Sequence, residues 1–513
     1  MLGKLRGTHM KNINILPNEY WYGLCVNEGT KFPLSGKSEF SWHATRRFSG
    51  NQEAPLLVSN KGRFLWSERP YDVDVADGVI AVSNEADDFA LYEGYETLKG
   101  AFLAAAQRFF PANGVIPPEE FFIKPQYNTW AELIYDQTQE EILRYAHGII
   151  DNGLPPGIMM IDDGWMRFYG SREFNLEAIP DARAMIKELH DLGFSVMLWM
   201  CPFISPDTTV YREADSKGYL VHNADGSTAL RHWWNGFSCV VDMSNPDAAK
   251  WFRDMLDYLM DEYGVDGFKF DAGDVQYYRD DDRNYGGVTA HEQCELWAKL
   301  GLEYPLNEYR ACYKCAGLPL VQRLCDKAHR WSAVAKLLPD ILTQGILGFS
   351  YGCPDMIGGG SFTDFLPGAP SLKPELFARY AQCAALMPMM QYSAAPWRVL
   401  PKEYADVCVE AGKIHLNYAD YILELARHAS VTNEPILRYM EYEFPGEGME
   451  TVTDQFMVGN RLLAAPVIEE GVVTRDVRLP KGKWKYVDGT VYDGGCTVTV
   501  DAPVTVLPYF ERV

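Results

Sequence analysis

The chain has 513 residues and a formal net charge of -23, with 47% hydrophobic and 23% charged residues. Such a length holds roughly two to four domains and a large core, and the balance of residues is that of an ordinary soluble globular protein. The acidic surplus argues against a nucleic-acid partner, because phosphate binding needs a basic surface, and no run approaches the ~20 apolar residues of a membrane span, so no membrane partner is expected.

Aromatic residues reach 13%, including 13 Trp and 30 Tyr. Sugar-binding clefts are one place for so many rings, beside cores and interfaces. The 11 cysteines are odd in number and scattered. Cys312-Tyr313-Lys314-Cys315 is the single C-x-x-C, with no second pair at zinc-ribbon spacing. They read as reduced thiols, which points to a cytoplasmic setting. Residues 1–10 lack an apolar h-region, so no secretory signal is visible. Gly7-Thr8-His9-Met10 looks like a cloning remnant and is set outside the fold reasoning.

Residues 11–118 alternate short strand-like runs with turn signals. Examples are Trp21-Tyr22-Gly23-Leu24-Cys25-Val26, Arg63-Phe64-Leu65-Trp66 and Val79-Ile80-Ala81-Val82 after the turn dipeptide Asp77-Gly78. This pattern predicts an antiparallel β-sandwich. Pro111, Pro117 and Pro118 mark a linker.

From 119 to 428 strands alternate with helices. Phe121-Phe122-Ile123-Lys124 is a strand candidate, and 138–152 a helix stopped by Gly153. A strand is expected at 157–161, a helix at 181–192, a strand at 194–200, a helix from Asn245-Pro246 to Tyr263 and a strand at 265–270. Later strands fall at 319–324, 348–353 and 386–391, with helices at 337–347 and 374–385. Repeated βα units predict a parallel sheet, and their number fits a (β/α)8 TIM barrel. A doubly wound sheet is the alternative, but no G-x-G-x-x-G follows the first strand. Residues 429–513 return to strands, as at 461–467 and 497–500, and predict a C-terminal β-sandwich.

In a barrel of this kind the strand C-termini line the site. Val265-Asp266-Gly267-Phe268-Lys269-Phe270-Asp271 is the most telling. Alternation puts Phe268 and Phe270 on one face and Lys269 and Asp271 on the other. A buried lysine and carboxylate at a strand end fit either a structural ion pair or a catalytic carboxylate at the barrel mouth. Other ends are equally acidic and aromatic: Ile161-Asp162-Asp163-Gly164-Trp165, Leu198-Trp199-Met200, Arg323-Leu324-Cys325-Asp326-Lys327 and Cys353-Pro354-Asp355. One such Asp could be a helix N-cap. Asp at the ends of four strands of one barrel is harder to explain that way.

Carboxylates without a Cys/His cluster point to acid–base and nucleophilic work with no metal and no other cofactor. Glycoside cleavage needs two carboxyl groups across the scissile bond, one ionised and one protonated. Asp271 suits the nucleophile, with Lys269 holding it charged. Asp326 suits the acid, although Arg323 and Lys327 by themselves lower its pKa, so that role leans on burial and on the charge of Asp271. His291-Glu292-Gln293-Cys294-Glu295 lacks the second histidine of H-E-x-x-H. Ser350, Ser361 and Ser393 sit in no G-x-S-x-G elbow. Gly358-Gly359-Gly360 lacks the Lys-Ser/Thr of a phosphate loop.

At these residues the chain resembles glycoside hydrolase family 31, in the branch related to the myogenesis-regulating glycosidase and bacterial family 31 α-galactosidases. Phe268-Lys269-Phe270-Asp271-Ala272-Gly273-Asp274 resembles the nucleophile segment and Arg323-Leu324-Cys325-Asp326 the acid/base segment. Pro354-Asp355-Met356-Ile357-Gly358-Gly359 and Glu375-Leu376-Phe377-Ala378-Arg379 resemble stretches shared across the family. The resemblance implies a retaining mechanism, with the two carboxyl groups about 5–5.5 Å apart.

Glucosidase members usually carry a tryptophan where Lys269 stands, an aspartate near Met160 and a histidine near Gln391-Tyr392-Ser393. All three are absent here. Asp162-Asp163-Gly164-Trp165 and Lys269-Phe270-Asp271 instead resemble sugar-binding motifs of α-galactosidases in families 27 and 36. Galactose carries O4 axially, and paired carboxylates with a lysine suit O3, O4 and O6 through charge-assisted hydrogen bonds.

The expectation is therefore an exo-acting α-galactosidase. Asp271 and Asp326 are its catalytic pair. Asp162, Asp163, Lys269, Arg323 and Asp355 hold the sugar, and Trp199 and Trp397 form the pocket wall. Trp130, Trp165 and Trp234 are lesser candidates. Rivals are an α-glucosidase, α-xylosidase or α-N-acetylgalactosaminidase, a transglycosylase, and a catalytically silent carbohydrate-binding protein. A small oligosaccharide or glycoside is the expected partner, and a homo-oligomer stays open.

Overall fold

The structure is a computed structural model that describes residues 9–44 and 49–513. Its centre is an eight-stranded parallel ring: β1 (Gln126–Asn128), β2 (Ile158–Ile161), β3 (Ser195–Met200), β4 (Gly267–Phe270), β5 (Leu306–Tyr309), β6 (Gln322–Arg323), β7 (Gly352–Cys353) and β8 (Gln391–Tyr392). β8 pairs with β1. Just past β7 the ring closes, where Met356 bridges Gln391 and Ile357 N donates to Gln391 O at 2.8 Å. This is the expected TIM barrel.

Helices pack outside the ring: α1 (Gln139–Asp151), α2 (Ala182–Asp191), α3 (Pro246–Tyr263), α4 (Ala290–Leu300), α5 (Trp331–Ile346), α6 (Pro374–Ala385) and α7 (Lys402–Thr432). Their starts are written in the sequence. Thr138 accepts from Glu141 N to cap α1, which buries Ile142, Tyr145, Ala146 and Ile149 on one stripe. Asn245 caps α3 ahead of Pro246, and Gly264, at φ 79°, ends it in the left-handed region.

Three expectations need correction. Phe121-Phe122-Ile123-Lys124 is not a strand; Glu120–Ile123 is a short helix, and the first barrel strand follows it. β5 lies in the stretch between Phe270 and Pro319, to which the sequence reading assigned no element. No helix separates β5 from β6; there Cys312–Tyr313 forms a parallel bridge to Gln52 and Glu53 of the N-terminal sheet. In addition, α7 runs past residue 428, the expected end of the barrel.

The N-terminal part is two facing antiparallel sheets. One orders His9–Asn14, Val79–Asn84, Asp72–Ala76 and Phe40–Trp42; the other orders Leu34–Ser35, Tyr20–Cys25, Gln52–Ser59, Phe64–Trp66 and Ala90–Tyr92. Trp21, Leu57 and Leu65 point into the sandwich with Val73, Ile80 and Val82. Tyr22, Leu56, Val58 and Phe64 point the other way, into the barrel core. The second sheet is thus covered on both faces, which is why every residue of Gln52–Ser59 is buried. His9 and Met10 belong to the first strand, pairing with Asn84 and Ser83, so they are part of the fold from which they were set aside. Gly7 and Thr8, set aside with them, and the rest of the leader region at residues 1–8 lie outside the described residues.

The C-terminal part sets a six-stranded sheet, Leu437–Arg438 through Tyr509–Arg512, against the pair Thr474–Leu479 and Cys496–Asp501. Met457, Leu463, Trp484 and Phe510 fill the space between them with Val477 and Val500. Among the described residues no helix is long and apolar enough to cross a membrane.

Candidate active site

Register places the functional residues on one level. Trp199 on β3 lies opposite Lys269 on β4, and Lys269 opposite Glu308 on β5. Side chains alternate as expected. Phe270 turns outward onto Tyr309, with centroids 4.8 Å apart, and onto Trp297 of α4 at 5.3 Å. Lys269 and Asp271 turn inward. Together with the strand-end loops they border a cavity of about 680 Å³ at the C-terminal mouth of the barrel. Of the residues expected there, Asp162, Asp163, Trp199, Lys269, Asp271, Arg323 and Asp326 line it.

Asp271 is held on three sides. Its Oδ1 accepts from Arg310 Nε at 2.9 Å and from Ala272 N at 2.8 Å, and its Oδ2 accepts from Trp199 Nε1 at 3.0 Å. Burial alone would raise its pKa, but the charges of Arg310, Lys269 and Arg323 carry it well below the usual carboxylate range. Arg310 is the larger of these, so Lys269 is not the chief cause expected from the sequence. Both Nη atoms of Arg310 bind Asp274, at 2.9 and 2.7 Å.

Lys269 instead spends its ammonium on Asp162, with Nζ 2.5 Å from Oδ2. Both side chains are almost fully buried. Asp163 N donates to the other Asp162 oxygen at 2.9 Å. Asp163 itself accepts from Tyr169 Oη at 3.0 Å and from Asn235 Nδ2 at 2.6 Å. Burial, followed by the charge of Asp162, pushes Asp163 up to about 7.

Arg323 organises the opposite wall. Its Nη1 donates to Asp326 Oδ1 and to Asp355 Oδ1, each at 2.8 Å, and its Nε lies 3.4 Å from Glu308 Oε1. Asp355 is fully buried and also accepts from Lys327 N at 2.7 Å. It therefore acts from beneath the cavity, through Arg323, and is not part of the lining. Burial pushes it up to about 7 against the pull of Arg323. Glu308 is likewise raised by burial. Asp326 is the open member of the set, its side chain 46% exposed, so the burial on which its acid role was expected to lean is not found, and Arg323 is bonded to it. Gly360 lies directly against it: a Cβ there would come within 2.6 Å of Asp326 Cγ.

The N-terminal sandwich and an insertion after β3 complete the site. Gln52 Nε2 donates to the carbonyls of Arg310 at 2.5 Å and Arg323 at 3.0 Å, while its Oε1 accepts from Gln344 Nε2 at 2.8 Å. Asn51 Oδ1 accepts from Cys325 N at 2.7 Å. The insertion hairpin, Leu230–Trp233 and Gly236–Val240, sets Trp234 on the cavity wall with its ring 5.6 Å from the Arg310 guanidinium carbon. Trp130 also lines the cavity and donates from Nε1 to Gly360 O at 3.0 Å.

Trp397 is misplaced in the sequence reading. It lies on the short helix Pro396–Val399, outside the cavity lining, with its ring against Tyr145 and Gly148 of α1. Trp165 is wholly buried and donates to Trp199 O at 2.8 Å, bracing the wall from behind. The sequence reading missed Arg310, Glu308 and Asn235. The first two follow from the missed β5. A gap of nearly fifty residues between strands is too long for a structureless loop and was the available signal. Asn235 had none, since nothing local ties a hairpin tip to Asp163. Among the described residues no group of three or more His, Cys, Asp or Glu is placed to hold a metal ion.

Comparison with known proteins bears on this geometry. The Glycosyl hydrolases family 31 TIM-barrel domain matches residues 125–425, and the C-terminal domain of the same family matches residues 433–513. The chain is 32% identical over 411 residues to the myogenesis-regulating glycosidase of Mus musculus, covering 78% of this chain and 57% of that protein. It is 27% identical to the alpha-xylosidase XylQ of Lactiplantibacillus pentosus, covering 93% of this chain and 64% of that one. It therefore spans less than two thirds of the length of these two relatives. Among solved structures, the Flavobacterium johnsoniae GH31 dextranase complexed with glucose superposes with a TM-score of 0.85 at 21% identity, covering 99% of this chain and 66% of that one. That likeness speaks to the fold.

Proposed function

The chain belongs to glycosyl hydrolase family 31, and from that premise we propose that it is a retaining, exo-acting α-glycosidase releasing terminal α-linked galactose. In this reading Asp271 attacks the anomeric carbon while Asp326 gives its proton to the departing glycosidic oxygen. A covalent glycosyl–Asp271 ester and the free aglycone result. Asp326, now ionised, takes a proton from water, whose oxygen attacks the anomeric carbon and frees Asp271. Arg310 and Trp199 keep Asp271 ionised and aimed.

The observation that carries the choice of sugar is the Lys269–Asp162 pair at 2.5 Å with Asp163 beside it, all three facing the cavity. Two carboxylates and an ammonium at one end of a sugar ring grip several hydroxyls at fixed angles, and such a site rejects an epimer that leaves its buried groups unpaired. Relatives of the chain include proteins named for α-xylosidase and α-glucosidase activity, so xylose and glucose are the rivals to exclude. The eleven cysteines, none in a disulfide and nine of them buried, support a reducing, cytoplasmic location.

Rates on p-nitrophenyl α-galactoside, α-glucoside, α-xyloside and α-N-acetylgalactosaminide test the reading. Galactoside turnover that disappears in Asp271→Asn supports the sugar and the nucleophile together. Preference for another glycoside overturns the sugar. A protein that binds sugar equally well with and without the Asp271 carboxylate, and turns over none of the four, is a binding module.

A further inference from the structure

The hairpin inserted after β3 carries two neighbouring residues at its tip that reach opposite sides of the cavity. Trp234 lies over Arg310, on the side of Asp271. Asn235 points the other way and makes three hydrogen bonds. Its Nδ2 donates to Asp163 Oδ2 at 2.6 Å and to Tyr169 Oη at 2.7 Å, and its Oδ1 accepts from Tyr135 Oη at 2.8 Å. The ionised Asp163 carboxylate only accepts, so in that form the amino group of the amide faces Asp163 and its carbonyl faces Tyr135. The amide orientation is fixed by its partners. Tyr169 Oη in turn donates to both oxygens of Asp163, at 3.2 and 3.0 Å. Asn235 does not line the cavity, so whatever it does to a bound sugar it does through Asp163.

We infer that Asn235 is a positioning residue for the sugar site: from the hairpin tip it fixes the direction in which Asp163 presents its carboxylate, and so sets affinity for the sugar rather than the rate of bond cleavage. The inference rests on the reading of Asp163 as a sugar ligand given above. Two features of the geometry favour it over a purely structural bond. Asn235 sits on an insertion to the barrel rather than on the strand it holds, and its amide joins Tyr135, Tyr169 and Asp163, which come from three further segments. Its neighbour Trp234, 46% exposed, packs on Trp233 and over Arg310, so the polar contacts of Asn235 are what ties the tip to the Asp163 side of the cavity. The charged and titratable groups facing Asp163 are Asp162, which pairs with Lys269, together with Tyr169, Tyr135 and Cys201.

The test is Asn235→Ala beside Tyr135→Phe, with kcat and KM measured across pH on whichever p-nitrophenyl glycoside the wild-type chain turns over. For Asn235→Ala, KM is expected to rise about tenfold to a hundredfold, the size of one hydrogen bond to a charged group, while kcat stays within about threefold. Tyr135→Phe is expected to move KM the same way by a smaller factor. The donor on Asn235 stabilises the ionised form of Asp163, so an acidic limb of 1/KM set by Asp163 is expected to move to higher pH in Asn235→Ala. Unchanged KM in a folded Asn235→Ala protein overturns the inference. So does a proportional fall of kcat and active fraction with the limb in place, the mark of a structural bond alone. Should the substrate prove not to be a galactoside, the reading above fails but the comparison runs unchanged on the glycoside that is cleaved. With no turnover at all, calorimetric binding of D-galactose, D-glucose, D-xylose and N-acetyl-D-galactosamine takes its place; the same loss of affinity supports the inference, and no binding of any of them overturns both readings.

Discussion

Arg310 holds Asp271 and Asp274 with one guanidinium, its Nε on Asp271 at 2.9 Å and its Nη atoms on Asp274 at 2.9 and 2.7 Å. This fork keeps a buried carboxylate charged where burial would otherwise neutralise it. Replacing it with an apolar side chain leaves two buried carboxylates without their cation. Arg310→Met is expected to cost about 3–5 kcal/mol in urea denaturation, the usual penalty for breaking a buried pair. The folded pKa of Asp271 lies below its unfolded value. Its share of stability is therefore present above the unfolded carboxyl range and lost as pH falls toward the folded value. The variant should lose that share, and the acidic limb of its rate profile should move upward.

Removing the nucleophile without changing its shape separates chemistry from binding. Asp271→Asn is expected to lower kcat by about three orders of magnitude or more while sugar binding persists, read by calorimetry on the same preparation. Retained turnover would remove Asp271 from the reaction.

Asp326 differs from Asp271 in being open to the cavity and tied, among the described residues, to the side chain of Arg323 alone. If it donates the proton, its loss matters only when the leaving group needs one. Asp326→Ala is expected to lose about 10²–10⁴-fold on alkyl galactosides, the range for acid–base groups, and far less on a dinitrophenyl galactoside. Equal losses on both would remove it from the acid role. The product anomer, followed by NMR in the first minutes, should be α, as retention requires.

Gly360 offers a gentler probe of the same group. A methyl at this position meets Asp326 Cγ at 2.6 Å and its Cβ at 2.8 Å, so the carboxyl must swing away and the backbone that carries it must shift. Gly360→Ala is expected to reproduce the leaving-group dependence of Asp326→Ala at smaller amplitude, with a lowered urea midpoint.

The Lys269–Asp162 pair invites a double-mutant cycle. Lys269→Met leaves Asp162 buried without its cation and should destabilise by about 3–5 kcal/mol, whereas Lys269→Met with Asp162→Leu should recover most of that stability. Neither protein should recover galactoside turnover. Recovery of activity in the double variant would show the pair to be structural.

The inward placement of Lys269 and Asp271 was legible in the sequence because a strand alternates strictly, and Phe268-Lys269-Phe270-Asp271 sorts itself into an outer and an inner face without help from the rest of the chain. The helices capped by Thr138, Asp181 and Asn245 were legible for the same local reason. β5 was not, because Leu306-Asn307-Glu308-Tyr309 is half polar. Its Glu308 faces the ring interior against Arg323 and Gln391, where only the assembled barrel provides partners. Trp397 shows the converse limit. It follows β8 closely along the chain, but Pro396 starts a helical turn that carries its ring outward to α1. Sequence spacing records distance along the chain and not direction.

Gln52 has a consequence of its own. Its one amide ties together the backbones that deliver Arg310 to Asp271 and Arg323 to Asp326, and it comes from the N-terminal sandwich rather than the barrel. The barrel is thus not a self-sufficient module with an ornament attached. A fragment beginning at β1 would keep Asp271 and Asp326 and lose the amide that joins the two backbones beside them, so a chimera that keeps this joint carries both parts together.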